Sequence, residues 1–361
     1  MKNQAKQSVL NVKPYIPGKP IEEVKRELGL KDVIKLASNE NPFPPSPKVM
    51  RALEAAASSI NRYPDGDCFY LRSEIAKRLG INPKQIVFGN GSDEIIVFAA
   101  KAFLSPGDEV VLAKPTFLIY DIASTIEGAR LFQIPLINFR YDLGRMKKAI
   151  SPRTKIIFIG NPDNPSGQYI RQNEFEWFMD GIKDNVLIFM DQAYFEYVEA
   201  KDYAGSIDLL KRYKNLIITR TFSKLYGLAG LRVGYGIASE EIIDILNRVR
   251  EPFNINSLAQ AAALAALKDE KYYLSVKSKI EKERKLLYAG FKRLKLDFVE
   301  TCTNFSLIKI SGDSTDIVNK LLSRGVIVRD MKHWGMTGFI RSTIGNNQEN
   351  KKLIKALETI L

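Results

Sequence analysis

The apolar run Leu216-Ile217-Ile218 opens onto Thr221-Phe222-Ser223-Lys224-Leu225-Tyr226-Gly227-Leu228-Ala229-Gly230-Leu231-Arg232-Val233-Gly234, which gathers a lysine, two small hydroxyls, an arginine and three glycines. Hydroxyls and a guanidinium donate hydrogen bonds to a phosphate, and glycine lets backbone N–H groups approach it. A glycine-bearing surface turn with a solvated lysine has the same letters, so this stretch alone leaves two explanations level. A strand running into such a loop nevertheless sets what to look for upstream.

Short apolar runs recur there. Ile86 to Phe88, Glu109 to Ala113, Leu131 to Ile134, Lys155 to Ile159, Val186 to Met190 and Leu216 to Thr219 are separated by helical patterns such as Glu94 to Leu104 and Gln172 to Ile182. This alternation predicts an α/β chain: a large domain with a mainly parallel sheet flanked by helices. In such sheets ligands bind outside the carboxyl ends of the strands. Past a helix-rich stretch, Glu240 through Arg293, the text predicts a strand over Phe298 to Ile310, a helix over Thr315 to Ser323, strands Val326 to Arg329 and Phe339 to Thr343, and a helix from Gln348 to Leu361. That is a small α+β domain. The expected division is an N-terminal arm over 1–30, extended by its prolines and packing with the small domain and a partner subunit, then a large domain over 31–250 and a small one over 251–361.

Four loops fall at predicted strand ends. Gly89-Asn90-Gly91-Ser92-Asp93-Glu94 begins a helix, as an anion site would. Asn161-Pro162-Asp163-Asn164-Pro165-Ser166-Gly167 offers amides, Asp191 is followed by Tyr194, and the last loop holds Lys224. Each has a plain structural explanation: a turn, an Asn-Pro turn initiator, an N-cap. Their chemistry fits one ligand together. Pyridoxal 5′-phosphate needs donors for its phosphate, a carboxylate for its ring nitrogen, a donor to its phenolic oxygen and a lysine for its aldehyde.

Composition narrows the alternatives. The 361 residues carry a formal net charge of +13, with 45% hydrophobic and 26% charged residues. The positive balance suggests nucleic acid, yet basic residues alternate with acidic ones, as in Glu281-Lys282-Glu283-Arg284-Lys285, and no basic run is interleaved with aromatics. No nucleic-acid partner is expected, and the excess charge is read as a solvated surface that draws in small anions. No apolar stretch is long enough for a membrane span and the first ten residues lack a signal-peptide core, so a cytoplasmic protein is expected. Cys68 and Cys302 have no spacing partners, and the single histidine, His333, leaves no His-rich metal site. No metal is expected. Acid–base work falls to lysine, carboxylate or tyrosine.

With these segments in view, the chain resembles the fold-type I aminotransferases dependent on pyridoxal phosphate nearly end to end. The likeness is carried by Pro14-Tyr15, Leu36-Ala37-Ser38-Asn39-Glu40-Asn41-Pro42, Arg62-Tyr63-Pro64-Asp65-Gly66, the four loops above, Gly325-Val326-Ile327-Val328-Arg329 and Arg341-Ser342-Thr343-Ile344-Gly345. The resemblance implies that Lys224 carries the cofactor as a Schiff base and shuttles the proton. It implies that Asp191 pairs with the ring nitrogen, Asn164 and Tyr194 with the phenolic oxygen, and that Phe117 stacks on the ring. Ser92, Asp93, Thr221, Ser223 and Arg232 would surround the phosphate, with Tyr63 reaching it from the second subunit of a homodimer. Arg341 would grip the substrate anion, helped by Tyr15, Asn39 and Arg329. The implied partners are histidinol phosphate and the glutamate/2-oxoglutarate pair. An aromatic amino-acid aminotransferase or a threonine-phosphate decarboxylase of the same fold stands as the alternative. Four positions depart from the pattern: Phe117 for a frequent tyrosine, Gln192 for a common glutamate, and Asp163 and Ser166 for a usual asparagine and threonine.

Overall fold

A computed structural model describes residues 4–361. The strands, in chain order, are β1 (Ile34–Lys35), β2 (Ile86–Gly89), β3 (Glu109–Lys114), β4 (Arg130–Pro135), β5 (Thr154–Gly160), β6 (Leu187–Asp191), β7 (Leu216–Thr221), β8 (Gly234–Ile237), β9 (Phe298–Val299), β10 (Phe305–Lys309), β11 (Val326–Ile327), β12 (Arg329–Asp330) and β13 (Phe339–Thr343). Seven of them form one sheet in the order β2-β8-β7-β6-β5-β3-β4. All of its pairings are parallel except those of β8, which runs antiparallel to both β2 and β7.

Side-chain alternation explains why the central strands sit in the middle. Ile156 and Phe158 of β5 face one core with Leu187 and Phe189 of β6, while Ile157 and Ile159 face the other with Ile188 and Met190. Apolar residues on both faces of a strand need helices on both faces of the sheet. The helices Ser92–Phe103, Leu118–Ile126 and Glu240–Val249 cover the first face; Phe69–Leu79 and Ser257–Leu267 lie over the second. The strand β8 is absent from the sequence-based expectation because glycines Gly234 and Gly236 interrupt its apolar pattern.

The remaining strands form a four-stranded antiparallel sheet, β12-β13-β10-β9, and a two-stranded parallel pair, β1-β11. Phe298 to Ile310 is therefore not one strand. It is a hairpin whose bend holds Thr301, Thr303 and Asn304, buried and hydrogen-bonded to neighbouring backbone. The predicted strand over Val326 to Arg329 likewise divides, β11 pairing with β1 and β12 with β13. Near the start of the chain the helix Gln7–Leu10 precedes the extended proline segment, so the described arm is not wholly extended. The helix Glu270–Arg293 runs between the parts of the chain that carry the two larger sheets.

Candidate active site

Register delivers the polar residues to one end of the sheet. Asp191, the last residue of β6, is aligned with Gly160 of β5 and Thr219 of β7. Thr221 at the end of β7 is aligned with Gly234 of β8, which in turn faces Gly89 of β2. The order of connections reverses between β5 and β3, so the loops that follow these two strands diverge and leave a crevice between them. A cavity of about 200 Å³ opens there, lined by residues that include Phe117, Asn164, Asp191, Tyr194, Lys224 and Arg341.

Asp191 is 6% exposed. Its Oδ2 accepts from the Tyr120 hydroxyl at 3.0 Å, and its Oδ1 accepts from the Ala193 amide at 3.0 Å and the Thr219 hydroxyl at 3.3 Å. Burial pushes its pKa up to about 6, while these three donors pull the other way. A carboxyl so placed can stabilise a cationic nitrogen in front of it. Tyr120 and Thr219 do not stand out in the sequence; Tyr120 sits inside the apolar pattern of the helix Leu118–Ile126 and reads there as core.

Lys224 extends over the face of Tyr194, its Nζ 5.4 Å from the ring centre, and donates to the Asn39 carbonyl at 3.4 Å. Asn39 also donates through Nδ2 to the Tyr194 hydroxyl at 2.9 Å. The amine has no carboxylate partner among the described residues.

The phosphate-like corner is built on glycine. Gly91 caps the helix Ser92–Phe103 at φ +91°, and a Cβ on it would collide with both Asp93 Oδ1 and an Arg232 nitrogen. A Cβ on Gly234 would lie 2.5 Å from the Ser92 amide nitrogen. No larger residue fits either position without moving this corner. Arg232 donates to Asp93 Oδ1 at 2.8 Å and to Ser223 Oγ at 3.4 Å, and Ser92, Thr221 and Ser223 line the same cavity. The N-terminus of a twelve-residue helix, an arginine paired with Asp93 and three hydroxyls are donors of the kind that can receive an anion.

At the opposite end stands Arg341 on β13, 3% exposed. One terminal nitrogen donates to Asn164 Oδ1 and the other to the Ala37 carbonyl at 3.1 Å, while Nε is buried without a partner among the described residues. Burial lowers its pKa to about 10. Arg329 stands further out; it donates to the Tyr15 hydroxyl at 2.8 Å and does not line the cavity, whereas Tyr15 does. Tyr63 lies outside the cavity altogether, 83% exposed and stacked on Phe253 at 4.9 Å.

Two of the unusual positions have structural partners. Gln192 Oε1 accepts from Arg220 Nε at 3.0 Å, and Asp163 accepts from the hydroxyls of Thr116 at 2.8 Å and Tyr141 at 2.9 Å and from the Ser166 amide at 3.1 Å. Asp163 thereby anchors the loop that presents Asn164. Trp334, inconspicuous in the sequence, forms the cavity wall beside Arg341.

A lysine, a buried acid at a parallel-strand end and the start of a twelve-residue helix are thus set around one crevice. Residues 31–357 match the family described as aminotransferase class I and II, and the chain belongs to that family. It is 47% identical over 359 residues to the histidinol-phosphate aminotransferase of Moorella thermoacetica, a match covering 99% of this chain and 93% of that one. It is 44% identical to the histidinol-phosphate aminotransferase of Caldicellulosiruptor saccharolyticus, over 98% of this chain and 99% of that one. The crystal structure of histidinol-phosphate aminotransferase from Sinorhizobium meliloti in complex with pyridoxal-5′-phosphate superposes with a TM-score of 0.90 at 26% identity, covering 99% of both chains. No helix among the described residues is long and apolar enough to cross a membrane.

Proposed function

We propose that this chain binds pyridoxal 5′-phosphate and transfers the amino group of L-histidinol phosphate to 2-oxoglutarate, giving imidazole-acetol phosphate and glutamate. The observation that carries the reading is a buried arginine, Arg341, with no carboxylate partner among the described residues, in the same cavity as Lys224. Relatives named for this reaction match it along nearly the whole chain.

The residues fit the cofactor on their own chemistry. The glycine-cleared corner at Gly91 and Gly234 suits its phosphate, buried Asp191 its ring nitrogen, and Phe117 on the cavity wall a flat ring. When bound, pyridoxal 5′-phosphate supplies an aldehyde that links to amines and a protonated ring that accepts electrons from the carbon beside the nitrogen. Asp191 would face the ring nitrogen as a carboxylate and hold a proton there. Tyr120 and Thr219 hold Asp191 in place. Asn164 and Tyr194, on the cavity wall, would bind the phenolic oxygen. Lys224 would hold the cofactor through Nζ, and its amine, in the same cavity, would take and return the proton at the substrate carbon.

Arg341, assisted by Tyr15 and Asn39, orients the substrate anion, with Arg329 acting through its hydrogen bond to Tyr15. Histidinol phosphate carries its phosphate on the carbon beside the amine-bearing one, and glutamate carries its α-carboxylate in nearly the same place. A guanidinium fork can bind either, so one site serves both halves of the reaction.

The reading includes a homodimer. Tyr63, Phe69 and Tyr70 are 83%, 58% and 73% exposed, and such aromatic rings are suited to cover by a second copy whose cofactor phosphate Tyr63 would reach. Residues 31–250 would then hold the cofactor and 251–361, with the arm over 1–30, would close on the substrate. Two free cysteines, Cys68 and Cys302, accord with action in the cytoplasm.

The test is a panel of histidinol phosphate, phenylalanine, tyrosine and aspartate, each with 2-oxoglutarate, on wild type and Lys224→Ala. Histidinol phosphate should give the highest kcat/KM, and Lys224→Ala should be inactive with all. Preference for an aromatic amino acid would overturn the substrate assignment alone; full activity in Lys224→Ala would overturn the mechanism.

A further inference from the structure

The guanidinium of Arg341 lies over two aromatic rings, its carbon 5.3 Å from the ring centre of Phe305 and 5.4 Å from that of Trp334. Both rings are buried, Phe305 completely and Trp334 at 5% exposure. Trp334 is held by the turn Lys332–Trp334, whose backbone returns to Met331 at 2.9 Å, and it packs with Leu307, Met331 and Met336. The neutral acceptors of Arg341 are a side-chain amide and one backbone carbonyl, and its Nε is left over.

An arginine removed from water ordinarily needs a carboxylate. Here a carboxylate would compete with the substrate anion for the same fork. Aromatic rings present a negative face to a cation without presenting an acceptor that the substrate must displace.

We infer that Trp334 is a positioning residue for Arg341: together with Phe305 it holds the charged guanidinium in the cavity without neutralising it, and so sets the affinity for the anions of both substrates. The inference rests on the proposal that Arg341 takes the substrate anion. The indole acts through the arginine and has no role toward the imidazole ring. Trp334 therefore matters equally for histidinol phosphate and for 2-oxoglutarate, which share only the anion.

The experiment compares Trp334→Leu with Trp334→Phe in the cofactor-loaded enzyme, measuring kcat and KM for each substrate, with the visible absorbance of the bound cofactor as the check on folding. Both variants lose volume, but only phenylalanine retains an aromatic face. Trp334→Leu is expected to raise both KM values about tenfold, equivalent to about 1.4 kcal/mol, with kcat within about threefold. Trp334→Phe should recover most of that loss, and Trp334→Leu should add little in an Arg341→Ala background, which has no cation for the ring to hold. A rise confined to histidinol phosphate would show that the indole touches the imidazole, and equal losses in Leu and Phe would show that it only fills space; either overturns the inference. Arg341→Lys with both KM values unchanged would instead remove the proposed anion site itself.

Discussion

The Tyr120 hydroxyl donates to Asp191 Oδ2 at 3.0 Å from a ring that lies parallel to Phe158, 4.9 Å between centres and 6° between planes. The stack fixes where the hydroxyl points, and the hydroxyl favours the ionised form of a carboxyl that burial disfavours. Tyr120→Phe keeps the stack and removes the donor. It should leave the fold intact and lower kcat/KM about tenfold, the scale of one hydrogen bond to a charged group at about 1.5 kcal/mol. Unchanged kinetics would mean that Thr219 and Ala193 suffice.

At Gly91 a single added methyl group would strike two side chains of the proposed phosphate corner. Alanine there would occupy a left-handed φ and strike Asp93 and Arg232 together. Gly91→Ala should weaken cofactor binding at least about tenfold, because displacing the arginine fork removes a charge-assisted bond to the phosphate. Titration of the ligand-free protein with pyridoxal phosphate, followed by absorbance, measures it; wild-type affinity would place the phosphate elsewhere.

Glu196 predicts the pH dependence of the ligand-free fold. Its Oε2 is sealed from water without a partner among the described residues, and burial pushes its pKa up to about 8, against the pull of Arg220 and Lys277. A carboxyl with a raised folded pKa contributes stability that is complete below its ordinary pKa and is lost as pH rises through the folded value. Wild type should therefore lose stability between about pH 5 and pH 9, where one pKa unit is worth about 1.4 kcal/mol. Glu196→Gln should match wild type at pH 5 and exceed it by roughly 1–3 kcal/mol at pH 9. Parallel Tm–pH curves would contradict this.

The proposed role of Tyr63 can be tested by mixing. Tyr63→Ala and Lys224→Ala homodimers should each be impaired, the first about tenfold or more through a lost phosphate contact. After subunit exchange, the mixed dimer would own one complete site, with Lys224 from one subunit and Tyr63 from its partner. Recovered activity supports the shared site; its absence, with exchange verified by mass, refutes it.

Much of this site is legible in the sequence because it lies in loops after strands, where polar residues have little other reason to gather. Asp191, Lys224, Asn164 and Arg232 can be read that way, and periodicity exposes six strands of the main sheet. The residues that escape notice are those whose neighbours disguise them. Tyr120 sits among Leu118, Ile119 and Ile122 on a helix, and Trp334 on a short turn between Lys332 and Gly335. The strand β8 is hidden by its glycines, although the close approach of Gly234 to Ser92 is the reason a glycine stands there. The hairpin within Phe298 to Ile310 is invisible because its bend is threonine and asparagine stabilised by tertiary hydrogen bonds, with neither proline nor glycine to mark it.

Asn39, at φ 55°, ties distant parts of the chain through its backbone and side chain alike. Its amide donates to Thr343 Oγ1 at 2.9 Å, its side chain to Tyr194 at 2.9 Å, and its carbonyl receives both Asn304 at 3.0 Å and Lys224 at 3.4 Å. Thr343 is two residues from Arg341 on the same strand. One residue thus joins the strand that carries Arg341 to the carbonyl that receives the Lys224 amine, so the two ends of the cavity are spaced by a single hydrogen-bonded tie.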